Sequence, residues 1–165
     1  MDDPYIEPEA AAAAVLAITG AIILFSFLFG AVLYVLICLP LGALFKKAGI
    51  EPWKAWVPYY ATYVWLQLGG QNGWWVLATL IPGGSIVTAV FQYFSMWATG
   101  RAFRKDVGFL VLGILLPIVW LFILGFGKDR YEPELIKASG LTPPLVGYGA
   151  ERPSAYPTYP AAPTA

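Results

Sequence analysis

The chain has 165 residues, enough for one folded unit with tails. Hydrophobic residues make up 59% of it and charged residues 12%, about half the usual charged share, and the formal net charge is zero. No global field therefore gathers nucleic acid or cations, and the absence of histidine removes the commonest metal ligand, the usual haem ligand and the near-neutral proton carrier.

Residues 1–9 form a short acidic segment without a basic n-region. The apolar run behind it is far longer than the ~7–15 residues of a signal-peptide core, so no cleaved signal is expected. Ala10 to Phe45 carries no charge. A helix of that length outruns a hydrocarbon core of ~30 Å, which places a crossing at about 13–39. Pro40 and Gly42 should loosen the helix before Lys46 and Lys47 anchor it at the surface. Cys38 stands alone in this run, which rules out an intramolecular disulfide and reads as a small buried apolar residue. Ala17, Gly20, Ala21 and Ala31 suit close helix contact.

Glu51-Pro52 opens a fresh helix, with proline in the first turn where its missing N–H costs nothing. Trp53 beside Lys54 reads as an interface anchor, as does Trp56. From Ala55 to Gly100 there is again no charge. A soluble domain would need charged residues on the water-facing half of such a stretch, whereas a bilayer does not. Residues 55–69 are marginal in length and contain Pro58 and Gln67; they either cross or dip in and return. Gly69 to Gly73 is a turn. Residues 74–98 are long enough to cross, and Trp75 and Trp97, about 33 Å apart along one helix, would mark the two interfaces. Pro82-Gly83-Gly84 should kink that helix, with Ser85 or neighbouring helices satisfying the freed carbonyls.

Arg101–Asp106 is a short basic loop that includes Arg104. Residues 108–126 form the last crossing, with Pro117 near its middle. From Lys128 to the end, 128–165, the chain turns polar and then Pro-, Tyr- and Ala-rich, which reads as a flexible, disordered tail. The expected fold is all-α: residues 10–127 form an integral membrane bundle of four Pro-kinked helices in a bacterial inner (cytoplasmic) membrane. Three crossings plus one re-entrant segment is the alternative. Four crossings put the basic clusters 46–54 and 101–105 on one side, as the positive-inside rule prefers.

Gln67, Ser85 and Gln92 are the candidate polar contacts at membrane depth, with Ser26, Thr88 and Ser95 beside them. Hydrogen bonds across helices are the plain reading, at about 0.6–1 kcal/mol each, and a polar-lined path is the bolder one. The prolines at 58, 82 and 117 allow a similar choice between bent packing and broken helices that build a transport site. No paired carboxylate or nucleophile–base arrangement stands out, so no catalytic, cofactor or metal site is expected, and the chain reads as non-enzymatic. The expected partners are the lipid bilayer, another membrane protein or a second copy, and anionic lipid at the basic clusters, with no nucleic acid. The role this suggests is an accessory or scaffold subunit acting through helix packing; a small transporter or channel for a neutral or lipid-like solute is the alternative.

Several stretches resemble a known family. They are K-A-G-x-x-x-W-x-x-W-V-P-x-Y at Lys47–Tyr60, the pair Trp74-Trp75, Leu80-Ile81-Pro82, and LGILLPIVWLFILGFGKDRY at 112–131. The chain is similar over about 45–131 to a bacterial family of small multi-pass membrane domains of unknown function, whose members are sometimes labelled signal peptidase I or large exoprotein. Members often carry Asn three residues after each of the first two prolines, where this chain has Ala61 and Ser85. The resemblance implies a membrane domain and no activity. The peptidase label does not carry over, because a Ser–Lys protease needs a folded catalytic domain.

Overall fold

Prolines at 58, 82 and 117 mark where three of the helices of this chain begin. The computed structural model describes residues 8–149, and among them every regular element is helical. The helices are α1 (Pro8–Lys47), α2 (Tyr60–Leu68), α3 (Gly84–Ala102), α4 (Val107–Leu115), α5 (Pro117–Phe126) and α6 (Glu134–Ala138), with 3-10 turns at Pro52–Trp56, Gly73–Leu80 and Gly147–Gly149. The all-α expectation holds.

The chain divides into two units at Leu36 and Ile37. The described part of the first is the leading portion of α1. Its apolar side chains, Val15, Phe25 and Phe27 among them, are exposed, and Phe25 stacks on Phe29 at 6.1 Å. α1 is the one helix among the described residues that is long and apolar enough to cross a membrane. Pro40 sits inside it without ending it.

The second unit is built from three pairs of helical pieces. A 3-10 turn leads through Val57-Pro58-Tyr59 into α2, a second leads through Ile81-Pro82-Gly83 into α3, and α4 leads through Leu116 into α5. The segments expected to cross at 55–69, 74–98 and 108–126 are thus each broken in two. Proline has no N–H to donate, and its ring clashes with the carbonyl four residues back. The chain reverses at each of these points instead of bending. Tyr59 takes φ 59° with ψ −43°, a positive-φ conformation rare for a side chain of its size, and Gly83 takes φ 82° at the second break.

The core of this unit gathers Leu44 and Phe45 of α1, Leu66 and Leu68 of α2, Ala98 and Ala102 of α3, and Trp120, Leu121 and Leu124 of α5. Trp120 is fully buried, stacked on Trp65 at 5.9 Å and tilted against Phe109 at 5.8 Å. Two glycines let helices approach each other closely. A Cβ on Gly69 would run into the Ser95 backbone, and one on Gly125 into the Pro40 carbonyl. Cys38 is buried, as its apolar setting suggested.

The tail begins later than the sequence indicates. Residues 128–148 pack within the second unit and bury Tyr131 and Ile136. Single apolar residues among polar ones give no periodic signal, yet each fills a pocket left by the helix ends. The rest of the expected disordered tail, with its Tyr-Pro repeats, lies outside the described residues.

Candidate functional site

Among the described residues, the segment 128–148 ties together much of the charge of the second unit. Lys105 pairs with Asp129 at 3.0 Å, and Arg104 grips Glu132 through two guanidinium nitrogens at 2.9 and 3.2 Å. Arg101 donates to the Ser139 hydroxyl at 3.1 Å. Backbone bonds continue the seam: Glu132 N–H to the Ala102 carbonyl at 2.8 Å, Leu145 N–H to Gln67 at 2.8 Å and Tyr148 N–H to Ala48 at 2.9 Å. The ends of α1, α2 and α3 are thereby laced to one strap.

Lys47 closes the end of α5. Its ammonium donates to the Leu124 carbonyl at 2.7 Å and the Gly127 carbonyl at 2.6 Å, and lies 5.7 Å from the Phe103 ring centre. Helix C-termini leave carbonyls without partners and carry partial negative charge, so a cation is doubly suited there. Partial burial lowers the Lys47 pKa, and the Asp129 carboxylate pushes it back up. The expected anchor Lys47 is therefore a helix cap; Lys46 is exposed.

A polar cavity of about 330 Å³ opens at this end, lined by Glu51, Lys54, Tyr60, Tyr63, Gln67 and the 145–148 segment among others. Glu51 and Lys54 pair at 2.9 Å on its wall, and that hydrogen bond and charge hold the Glu51 carboxyl below its ordinary range. The Gln67 amide donates to the Tyr63 hydroxyl at 3.1 Å within its own helix. Gln67 thus lies at a cavity wall, not on a bond between helices.

The other candidates scatter. Ser85 is exposed at the start of α3, and the carbonyl freed near Pro82 is met instead by backbone, Gly84 N–H to Ile81 at 2.8 Å. The Gln92 side-chain carbonyl is buried without a hydrogen-bond partner. Thr88 and Ser95 do link elements, donating to the Trp75 carbonyl at 2.8 Å and the Leu66 carbonyl at 3.4 Å. Trp53 stacks on Tyr60 at 6.0 Å, and Arg101 lies 5.7 Å from the Trp97 ring. Trp75 and Trp97 do not mark opposite ends of one helix. The break at Pro82 folds Trp75 back onto Phe91 at 4.6 Å, about 9 Å along α3 from Trp97.

An apolar groove of about 400 Å³, lined by Val90, Phe94, Trp97 and Leu110 among others, runs between α3 and α4. Among the described residues no group of His, Cys, Asp and Glu could hold a metal ion. Lys47 as a cap and the 128–148 strap were missed in the sequence. The signal available for the strap is the pair of acids Asp129 and Glu132, which meet Lys105 and Arg104 of the basic 101–105 loop.

No curated protein and no solved structure matches the chain. The identifying match is to a family of unknown function (DUF5684), which covers residues 53–133 and makes the expected uncharacterised family a finding for that stretch.

Proposed function

We propose that this chain is a non-enzymatic integral membrane protein that acts as an accessory or scaffold subunit, packing against a membrane partner or a second copy of itself. One observation carries the reading. The apolar window of α1 is only 6% buried within the chain, so its perimeter is left for lipid and for another helix. Lipid alone would satisfy the hydrophobic requirement. The small residues Ala17, Gly20 and Ala21 add a surface on which a second helix packs closely; a Cβ on Gly20 would meet nothing within 4 Å in this chain.

The setting would be a bacterial inner membrane, with the basic clusters facing the cytoplasm. Isolation in a gentle detergent should return the chain with a stoichiometric partner or as a defined oligomer, and Gly20→Ile should disperse it. A consistently monomeric chain, unchanged by that substitution, refutes the scaffold role.

A small transporter for a neutral or lipid-like solute is the second reading, supported by the unpartnered carbonyl of Gln92 inside α3. It requires flux in proteoliposomes that Gln92→Leu abolishes.

A further inference from the structure

We propose that the second unit enters the membrane from one face only, as three proline-tipped helical hairpins that reverse inside the hydrocarbon, in place of three further crossings. The proposal rests on the membrane reading above and names the surface that lipid covers: the tips at Val57–Tyr59, Leu80–Pro82 and Leu115–Pro117.

Hydrogen bonds fix where each hairpin begins and ends. The first leaves the end of α1 at Ala48 and returns to Gln67; Tyr148 N–H bonds to Ala48 and Leu145 N–H to Gln67, three residues apart on one strap. The second leaves Gly73 and comes back along α3 until Ser95 packs on Gly69 and donates to Leu66. The third leaves the Ala102–Lys105 corner as α4 and returns through α5 to that same corner, where Glu132 bonds to Ala102 and Asp129 to Lys105. A crossing would carry 128–132 some 30 Å from that corner. The ion pairs at 2.9 and 3.0 Å forbid it.

Length agrees. α2, α4 and α5 have nine, nine and ten residues, about 14–15 Å each, or half of a ~30 Å core. Of the 19 residues of α3, the stretch from Gly84 to Ser95, about 17 Å, lies within the second hairpin, and it too returns.

Composition of the tips decides what covers them. Tyr59 is 61% exposed, Ile81 65% and Leu115 72%, and no charge lies between Lys54 and Arg101 or between Asp106 and Lys128. Lys47, Arg101, Arg104, Lys105, Asp129 and Glu132 are bound into the strapped end, and Glu51 and Lys54 pair on the wall of the cavity that the strap also lines. Reversing a backbone in hydrocarbon leaves donors without water, each costing several kcal/mol. Proline at each tip removes one such donor. One N–H beside each tip is met locally, Ala61 to Val57 at 2.9 Å, Gly84 to Ile81 at 2.8 Å and Trp120 to Leu116 at 3.0 Å.

Single cysteines at Lys46, Asn72, Asp106, Lys137, Ile81 and Leu115, each in a Cys38→Ala background, test the arrangement with an impermeant maleimide. The full-length chain is labelled in spheroplasts and in inverted vesicles. The first four should react from the same membrane face, and Ile81→Cys and Leu115→Cys from neither until detergent is added. Reaction of Asn72→Cys or Lys137→Cys from the face opposite Asp106→Cys means true crossings and overturns the proposal. So does reaction of the two tip cysteines with the aqueous reagent in intact membranes. Release of the whole chain by alkaline carbonate refutes the membrane reading itself, which the labelling pattern does not.

Discussion

The Lys47 ammonium donates to the Gly127 carbonyl at 2.6 Å, joining the last turn of α1 to the residue that ends α5. Eighty residues of sequence separate the pair, and the contact places the far end of the third helical pair back beside the end of α1. Lys47→Met keeps the apolar stem and removes the cap. A hydrogen bond to a charged group is worth about 1.5–3 kcal/mol, and partial exposure discounts it, so thermal unfolding in detergent should show a loss of about 1–2 kcal/mol. An unchanged melting temperature would mean the cap contributes nothing.

Tyr131 is fully buried with its hydroxyl unpartnered, and burial pushes its pKa well above the ordinary 10.0. The folded chain then keeps a proton that the unfolded chain releases above about pH 10. Stability from this group is fully present below pH 10 and is lost as pH rises past it. Tyr131→Phe should remove that alkaline component. It should also raise stability at neutral pH by about 1 kcal/mol, because an unsatisfied buried hydroxyl is gone. A destabilised Phe variant would show that the hydroxyl has a partner.

Ile136 is fully buried within α6, on the segment that the sequence assigns to a flexible tail. Ile136→Ala should cost about 2–5 kcal/mol if the strap is part of the fold. Trypsin would then cut first near Lys128 and Arg130 in the variant but not in the parent chain. Equal cleavage in both would mean the strap is not held.

Gly69 lies against the Ser95 backbone, where a Cβ has no room. Gly69→Ala should force the second hairpin away from α2, at about 1–3 kcal/mol, the usual cost of overpacking. Gly30, with nothing within 4 Å of its Cβ position, is the control: Gly30→Ala should be neutral or stabilising. Parallel losses at both positions would contradict the close approach.

The sequence carried the helical class and the break points, because long uncharged runs and prolines act locally. The outcome of each break was less legible. Pro58, Pro82 and Pro117 suggest kinks when read in a single segment, and only the strap shows that the chain turns back. The strap itself left almost no trace. Tyr131 and Ile136 are isolated apolar residues whose burial depends on helix ends far away in sequence. Gln67, Ser85 and Gln92 stand out by polarity inside apolar runs, and polarity alone does not say which face a side chain takes. Thr88 and Ser95 satisfy carbonyls of other elements, while Ser85 is exposed.

The central claim is that hydrocarbon surrounds the proline tips of the second unit. Labelling membranes with a lipid-soluble diazirine and mapping the adducts by mass spectrometry reads this directly. Adducts should appear at Tyr59, Ile81, Ile86 and Leu115 as well as along α1. Adducts confined to α1, with the tips modified only by a water-soluble carbene source, would contradict the account.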